Sequence, residues 1–455
     1  MIDRICRRSF LLGGSAALFT GSLPAATRAN SPNERLRLGF VGVGNQGFSN
    51  LILCQNEEVA ALCDVDARYL GEAQSRFPQA ASFRDFREML SSANLDGVVI
   101  SSPDHTHALA SLLAMEQGLH VYCEKPLSNN YADCQTMAAA AAKVVTQFGV
   151  QHHAKRGYRR LRQILQSGEL GNIQEIHVWS TAPFWPQGVT RPAGEFPVPA
   201  WLDWNLWLSG APVRPYAPGY HPMQWRGHWA FGSGALGDNG CHLLDPVVSG
   251  LSLTAPTTIS AVTSGDGSSE SPPSWSVVKY QVAREGAAPV RLTWYDGGQK
   301  PSAEVVGVAR VPDDGILVVS EQAKIYASKF GGMPQIVPGT ANDGFQLSPL
   351  PMEDPRNHHQ EWLAAIRSGG ETDCPFAYGS RLTSLCLLGN IAVRVGKELT
   401  WNEARKEFED SPEATGLCTV IQRDGWQFPA PSDAAGSSSS VRSPHFPDLP
   451  QPSHE

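Results

Sequence analysis

A glycine-rich turn near the start of the chain constrains its fold more than any other feature. Gly42, Gly44 and Gly47 form the pattern G-x-G-x-x-G between an apolar run, LRLGFV, and a stretch, GFSNLILCQ, that predicts a helix. At such a strand-to-helix turn, glycine lets the backbone approach a pyrophosphate, which then binds at the helix N-terminus. We therefore predict a dinucleotide site here, with Asn45 and Gln46 among its contacts.

The next apolar run favours one form of the dinucleotide. EVAALCDVD predicts a second strand, and Asp64 near its end is placed to accept hydrogen bonds from ribose hydroxyl groups. Its carboxylate would repel a 2′-phosphate, so we expect NAD as the cofactor. Arg68, one helical turn later, leaves NADP open.

Short apolar runs alternate with helix-like stretches over residues 34–152. This alternation predicts an α/β domain of the Rossmann type, built on a doubly wound parallel sheet. Within it, ADCQTMAAAAAKVV predicts a helix and GVQHH predicts the start of a further strand.

Residues 153–428 show a different pattern. Period-two alternation predicts strands at EIHVWST, ISAVTS, SVVKYQVA, VRLTWYDG, AEVVGVA and GILVVS, and longer periods predict helices at HHQEWLAAIRSG and GSRLTSLCLLGNIAVRVG. We expect a C-terminal α/β domain with a large, mostly antiparallel open sheet. Residues 429–455, rich in Pro and Ser, predict a disordered tail.

The first 29 residues have the pattern of a twin-arginine signal peptide. Arg7 and Arg8 precede an apolar segment rich in Gly and Ala, and TRA at 27–29 offers small residues for cleavage. Cys6 stands where Ser or Thr is more frequent, and a Sec signal or a membrane anchor is the alternative. We expect a periplasmic or secreted protein with no stable membrane insertion after signal cleavage.

Composition excludes several classes of function. The chain is 42% apolar and 18% charged, as in globular proteins, and its formal net charge of -8 argues against nucleic acid as a partner. Its nine cysteines include no C-x-x-C pair, which excludes zinc-ribbon and thioredoxin-like sites. HHQEW is not the zinc motif H-E-x-x-H, so we assign no metal.

Two motifs follow the fourth and fifth predicted strands, whose carboxyl ends lie at the edge where open α/β folds bind ligands. In SSPDHTH, the candidate cofactor contacts are Ser101, Pro103 and His107, although the histidines here can equally cap the next helix. In CEKPL, Glu124 and Lys125 reach the same edge. Burial and the cationic nicotinamide would lower the pKa of such a lysine and let it exchange a proton with a substrate hydroxyl group.

A third motif, GDNGCHLLD, adds a carboxylate and an imidazole. Asp238 and His242 are four residues apart and would share one face of a helix, where the carboxylate can orient the ring for proton transfer. The alternative is a helix cap and a core histidine. Upstream, Trp225 and Arg226 belong to a segment rich in Trp and Pro that suits a polyhydroxylated substrate, or that packs on itself. We take Lys125, with these groups, as the candidate catalytic and substrate-binding set.

These motifs together resemble the Gfo/Idh/MocA family, which is named for glucose–fructose oxidoreductase and inositol dehydrogenase. GVGNQG, CDVD, SSPDHTH, CEKP and GDNGCHLLD occur in the family's order between about Leu36 and Phe428. The resemblance implies a Rossmann domain, then an α/β domain that binds substrate and commonly oligomerises through its open sheet. It also implies Lys125 beside the nicotinamide, His242 as the acid/base group, and Asp238 as its partner or a substrate ligand. We therefore expect a homo-oligomer.

The leading functional prediction is an NAD(P)-dependent oxidoreductase that removes a hydride from a secondary hydroxyl group of a sugar, a cyclitol or a derivative. Since the periplasm offers no free NAD pool, we expect a tightly held cofactor that is recycled internally. An NAD-dependent glycoside hydrolase, working by transient oxidation, elimination and re-reduction, is the first alternative. A non-catalytic cofactor-binding protein is the second.

Overall fold

The first part of the chain forms a six-stranded sheet in the computed structural model, which describes residues 35–349, 351 and 357–428. The strands are β1 (Arg37–Val41), β2 (Glu58–Cys63), β3 (Ala81–Phe83), β4 (Gly97–Ile100), β5 (His120–Glu124) and β6 (Thr146–Gly149). They lie in the order β3-β2-β1-β4-β5-β6 and every pair is parallel, so the predicted doubly wound sheet is confirmed. The predicted signal peptide (1–29) and tail (429–455) lie outside the described residues.

Helices follow the first five strands: α1 (Gln46–Leu53), α2 (Ala67–Arg76), α3 (Phe86–Ser92), α4 (His107–Glu116) and α5 (Tyr131–Ala140). Three of them begin at a residue whose side chain accepts a hydrogen bond from a backbone N–H of the first turn: Asp66, Asp85 and Asn130. Short polar side chains therefore define where α2, α3 and α5 begin.

The sequence prediction was wrong at the end of this domain. The alanine-rich helix α5 ends at Ala140, and a short 3-10 turn, Ala141–Lys143, leads into β6. The strand predicted at GVQHH is instead a 3-10 turn, Gln151–Ala154. Pairing of β6 with β5 buries Phe148, and this burial overrides the helical propensity of the preceding residues.

The rest of the chain builds a nine-stranded sheet. Its strands are β7 (Ile173–Trp179), β8 (Leu253–Thr263), β9 (Ser276–Arg284), β10 (Ala287–Tyr295), β11 (Gly315–Ser320), β12 (Lys324–Ala327), β13 (Gln335–Ile336), β14 (Leu399–Asn402) and β15 (Glu407–Phe408). They lie in the order β13-β12-β11-β7-β10-β9-β8-β14-β15, and among these described strands β7 and β10 alone pair in parallel. The predicted mostly antiparallel open sheet is confirmed.

The helices of this second part include two that join it to the first. They are α6 (Arg156–Ser167), α7 (Trp204–Leu208), α8 (Gly234–Gly250), α9 (Ala303–Val306), α10 (His358–Ser368), α11 (Phe376–Val395) and α12 (Pro412–Gly416). α11 packs against α8, β8 and α5, and so connects the layers beneath the two sheets. In the described part of the chain, no helix combines the length and the apolar character that crossing a bilayer requires.

The strand predicted at AEVVGVA is also wrong. Ala303–Val306 forms the single turn α9, which is capped by Ser302. Val306 packs with Trp179 and Leu317 in a small cluster separate from the main core. The apolar residues of this run cover the sheet instead of extending it, which is why their alternation misled the prediction.

A helix from late in the chain completes the core of the first sheet. Trp362 and Leu363 of α10 are fully buried and pack with Leu38 and Phe40 of β1. The first sheet therefore depends for one of its apolar contacts on residues made more than two hundred positions later.

We expect Trp362→Ala to lower the free energy of unfolding by about 3–5 kcal/mol, since it leaves a cavity under the sheet. Ala364→Ser, at an exposed position of the same helix, should change it by about 0.5 kcal/mol. Urea unfolding followed by circular dichroism measures both values. Equal losses in the two variants would contradict this role of α10.

Candidate functional site

The glycine turn after β1 has no room for side chains. Gly42 has a φ of +78°, which glycine adopts without strain. A Cβ at Gly47 would lie 1.9 Å from the carbonyl oxygen of Gly42, and one at Gly44 would lie 2.5 Å from the Tyr69 ring. Asn45, at the N-cap of α1, makes no side-chain hydrogen bond to the helix. A helix that starts at such a glycine turn fits the pyrophosphate of a dinucleotide.

Asp64 holds this turn in place from beyond the end of β2. Its carboxylate accepts hydrogen bonds from the backbone N–H groups of Val43 and Asp66, each at 2.9 Å. Burial raises the pKa of Asp64, although the two hydrogen bonds oppose the shift. Asp64 also lines the adjoining cavity, where its remaining lone pairs can accept from ribose hydroxyl groups.

That cavity, of about 330 Å³, follows the carboxyl edge of β1, β2 and β4. Most of the predicted cofactor contacts line it: Gly42, Gly44, Asn45, Gln46, Asp64, Ser101 and Pro103. The predicted contacts that do not line it are Gly47, His107, Glu124 and Lys125. Because open α/β folds bind nucleotides at this edge, the position and the lining fit NAD.

An aromatic segment, residues 199–231, covers the cavity from the other side. It is fastened to the loop after β2, where the N–H of Ala67 donates to the carbonyl oxygen of Trp201 at 2.8 Å. Nε2 of His221 lies 2.8 Å from the carboxylate of Asp66. The segment therefore closes over the side of the cavity where Asp64 lies.

Arg68, the residue because of which the sequence did not exclude NADP as the cofactor, contacts this segment. Its guanidinium donates to Asp66 at 3.0 and 2.7 Å and lies 3.4 Å from the centre of the Trp201 ring. Arg68 does not line the cavity, whereas Arg84 does and donates to the carbonyl oxygen of Val65 at 2.5 Å. The arginine that the sequence singled out thus stacks on the aromatic segment.

Most rings of the aromatic segment pack on one another. Trp204 and Trp207 stack with their centres 4.6 Å apart. Trp225 is buried, and its Nε1 donates to the carbonyl oxygen of Pro222 at 3.1 Å, while one face of the residue borders the cavity. Arg226 belongs to the same segment, but Nε of its guanidinium lies 3.4 Å from Oδ1 of Asp238.

His105 and His107 contact backbone rather than the cavity. The two ring nitrogens of His107 lie 2.9 and 2.7 Å from the carbonyl oxygens of Pro126 and Ser102. Nε2 of His105 lies 2.9 Å from the carbonyl oxygen of Trp207. Burial lowers the pKa of each histidine to about 4, although hydrogen bonds to these carbonyl oxygens oppose the shift. His107 therefore braces the loop after β4 against the turn after β5.

Glu124 lies beneath the site in a hydrogen-bond network. It accepts from Nδ2 of Asn50 at 2.8 Å and from Nε2 of Gln151 at 2.6 Å. The Nδ2 of Asn50 also donates to Oγ of Ser101 at 2.9 Å. Burial raises the pKa of Glu124 to about 7, although the hydrogen bond from Asn50 opposes the shift. Glu124 thus supports Ser101 from below.

Lys125 and Asp238 form a buried ion pair between the two parts of the chain. Nζ of Lys125 lies 2.6 Å from Oδ1 of Asp238, and Nε of Arg226 lies 3.4 Å from the same oxygen. The predicted lowering of the pKa of Lys125 is wrong: burial acts in that direction, but the carboxylate of Asp238 outweighs it and the pKa is raised. The pKa of Asp238 is lowered despite its burial, because Lys125 and Arg226 stabilise the charged form.

His242 lies one turn beyond Asp238 on α8, but its close neighbour is another imidazole. Asp238 accepts from Lys125 and, at 2.9 Å, from Nδ2 of Asn239. The ring centre of His242 lies 4.2 Å from that of His152, and no described residue hydrogen-bonds to Nδ1 of either ring. Burial holds the pKa of His242 well below its usual value and lowers that of His152 to about 4. Two imidazoles therefore stand beside the ion pair, each with an unpartnered Nδ1 among the described residues, and burial favours the neutral form of both.

Two residues of this site escaped the sequence analysis. Asp104 is buried, accepts a hydrogen bond from Oγ of Ser233 at 2.9 Å, and has its pKa raised by burial to about 7 against the charge of Arg226. Its place inside SSPDHTH was an available signal. His152 carried no local signal, because its contact with His242 arises from the tertiary fold.

Below the two imidazoles lies a compact buried cluster. His153, Asp245 and Cys374 each place one potential ligand atom within 4.8 Å of the others. Nδ1 of His153 already lies 2.7 Å from Asp245, whose carboxylate also accepts from the Tyr378 hydroxyl at 2.6 Å. These bonds fasten the turn that carries His152 to the helix that carries His242.

Two family models match successive parts of the chain. Residues 36–152 match the model described as an oxidoreductase family, NAD-binding Rossmann fold. Residues 156–291 match the same family's C-terminal alpha/beta domain. Together the two matches cover more than half of the chain.

Curated relatives match over shorter stretches. An inositol 2-dehydrogenase of Salmonella paratyphi B is 30% identical over 150 residues, which are 31% of this chain and 45% of that protein. A glycosyl hydrolase family 109 protein of Shewanella sp. is 27% identical over 206 residues, 38% of this chain and 45% of that protein. The chain thus spans less than half the length of these relatives.

Solved structures share the fold across both parts. The WlbA dehydrogenase of Bordetella pertussis, in complex with NADH and UDP-GlcNAcA, has a TM-score of 0.57 at 18% identity, covering 81% of this chain and 99% of that one. The myo-inositol 2-dehydrogenase of Lactobacillus plantarum has a TM-score of 0.55 at 16% identity, covering 81% of this chain and 99% of that one. At such identities the likeness concerns the fold alone.

We expect Gly47→Ala to abolish retention of NAD, because the new Cβ would collide with the carbonyl oxygen of Gly42 and distort the cradle. Gly71→Ala is the matched control, since no atom lies within 4 Å of a Cβ at that position of α2. Nucleotide released from each purified protein is quantified by mass spectrometry. Full NAD content in Gly47→Ala would contradict the assignment of the cradle.

Glu124 should make the stability of the protein depend on pH. The unfolded chain ionises this residue near pH 4.5, whereas the folded protein keeps its proton until about pH 7. The free energy of unfolding should therefore fall as pH rises between these values and level off above them. Glu124→Gln retains an acceptor oxygen but titrates no proton, so its loss of stability from pH 5 to pH 8 should be smaller by roughly 2–3 kcal/mol. Urea unfolding at both pH values tests this, and identical pH dependence in the two proteins would refute it.

Proposed function

This chain belongs to the Gfo/Idh/MocA family of oxidoreductases, and on that premise we propose that it oxidises a secondary alcohol of a sugar, a cyclitol or a derivative, by transferring a hydride from the carbon that bears the hydroxyl group to NAD. The observation that carries the proposal is the buried Lys125–Asp238 ion pair, with His242 one turn further along α8. NAD, when bound, accepts the hydride from the substrate carbon. Relatives named inositol 2-dehydrogenase support a polyhydroxylated ring as the substrate class.

Each polar group of the candidate site has one role in the proposed reaction. The imidazole of His242, whose Nδ1 has no hydrogen-bond partner among the described residues, takes the hydroxyl proton as the hydride leaves the carbon that bears the hydroxyl group. Lys125 remains an ammonium because Asp238 is paired with it, and it stabilises the oxyanion that develops on the substrate. Asp238 fixes the position of Lys125, and Arg226 adds a second positive charge beside the carboxylate.

Glycoside hydrolysis through a transient ketone is the second candidate function. Elimination and re-addition need more than one proton-transfer group, and the His152 ring beside His242 supplies another neutral imidazole. The Shewanella relative named glycosyl hydrolase family 109 protein also supports this reaction class. A protein that only bound the cofactor would need neither imidazole nor the buried ion pair.

We further propose that the chain folds around NAD in the cytoplasm, assembles as a homo-oligomer and is exported folded by the twin-arginine route. The eight described cysteines are free and buried, which suits folding in a reducing compartment. The aromatic segment covers the cavity and would slow release of the cofactor, which supports its retention through many catalytic cycles. With NAD retained, redox-neutral chemistry would regenerate it in place.

We expect Lys125→Ala and His242→Ala each to lower turnover by about 10²–10⁴-fold while NAD stays bound. Lys397→Ala, at an exposed lysine, is the control. Absorbance at 340 nm with sugars and cyclitols measures net oxidation, and nitrophenol release from nitrophenyl glycosides without net NADH identifies the hydrolase. If both variants fold, keep NAD and remain fully active, neither enzymatic proposal stands.

A further inference from the structure

Two phenylalanine rings lie exposed on either side of one lysine. Phe184 is 69% exposed and Phe330 is 59% exposed, unusual for side chains of this size. Nζ of Lys329 lies 5.0 Å from the centre of each ring. This ammonium is itself held 3.2 Å from Oγ of Ser180 and 3.2 Å from Oδ1 of Asp314. Its charge is therefore already paired, and the exposed surface of the two rings is available to a neutral ligand.

The backbone presents the Phe330 ring in a conformation that bulky residues rarely adopt. Its φ is +65°, and Gly331 follows with a φ of +81°. The turn is fixed by close packing on the start of α6, where a Cβ at Gly157 would lie 2.2 Å from the carbonyl oxygen of Gly331. Such strain persists only where the surroundings impose it, and it recurs at ligand-binding sites.

The exposed ring is continuous with the candidate reaction centre. The Phe330 ring meets that of His152 edge-on, with centres 5.3 Å apart and planes at 89°. His152 in turn lies 4.2 Å from His242. A ring that rested on Phe330 would therefore be one residue removed from the imidazole that receives the substrate proton.

We propose that Phe330 and Phe184 form a second substrate subsite, which binds the ring attached to the one that is oxidised beside Lys125 and His242. Its occupant is a neutral sugar or aryl ring whose apolar face stacks on the aromatic side chains. The preferred substrate is then a glycoside rather than a free monosaccharide or cyclitol. This inference rests on the proposed oxidation at Lys125 and His242.

The test compares free hexoses and myo-inositol with the matching phenyl glycosides, using the NAD-loaded protein. Phe330→Gly removes the ring and also relieves the positive φ, Phe184→Ala removes the second ring, and Phe330→Tyr keeps a stacking face. Ile421→Ala truncates an 88% exposed apolar side chain elsewhere and serves as the control. Thermal midpoints are recorded for every variant, so that misfolding is recognised.

We expect the wild type to have a lower KM for the phenyl glycosides than for the free sugars. Phe330→Gly and Phe184→Ala should each raise the KM for the glycosides about three- to tenfold and leave the KM and kcat for free sugars within about twofold. Phe330→Tyr and Ile421→Ala should behave like the wild type. Calorimetric titration of the loaded protein with a phenyl glycoside should show the same order of affinities.

Several results would overturn the subsite. Equal changes for glycosides and free sugars, or none in either Phe variant, would remove these rings from substrate recognition. A fall in sedimentation mass in Phe330→Gly or Phe184→Ala would assign the surface to contact between copies of the chain. Should the wild type oxidise no sugar while still binding phenyl glycosides through Phe330, the proposed oxidation would fail and the subsite would remain.

Discussion

The ion pair of Lys125 and Asp238 is the contact on which the site depends. It joins the turn after β5 to helix α8, and so sets the distance between the parallel sheet and the helix that carries His242. Both groups are largely buried, and removal of either would leave an uncompensated charge away from water. Nε of Arg226 lies 3.4 Å from the Asp238 oxygen that Lys125 contacts, so that this carboxylate faces two positive charges. The carboxylate of Asp238 keeps Lys125 protonated despite its burial, and the positive charge strengthens the stabilisation of an oxyanion in the role proposed for this lysine.

The sequence revealed those parts of the site that depend on local backbone geometry. Three glycines and an aspartate at the end of a strand define the cradle. The glycines leave space where a side chain would collide, and the aspartate accepts hydrogen bonds from the nearby backbone. The partner of Asp238 could not be predicted in this way. Asp238 pairs with Lys125, 113 residues away, instead of with the imidazole one turn along its own helix. His152 and the turn α9 escaped for the same reason, since tertiary packing decided both.

The aromatic segment packs on itself, which is one of the two alternatives that the sequence left open, and it also covers the cavity at the glycine turn. Its rings pack on one another, which gives the segment a core of its own, and its edge covers the cavity beside the glycine turn. Backbone pairing at Trp201 and the His221–Asp66 contact fasten it where the nucleotide would enter. A cover of this kind would slow release of the nucleotide, as the proposed export with a retained cofactor requires.

The position of α10 in the chain has a consequence for how the molecule is made. Trp362 and Leu363 cover β1, yet a ribosome adds them long after the strands of the parallel sheet have emerged. Until then part of the apolar surface of the nascent sheet stays exposed to solvent, where chaperones can bind it. A fragment that stops after β6 would keep α1 and α2 on this face but lack Trp362 and Leu363, so we expect its fold to be less stable than that of the same region in the full chain.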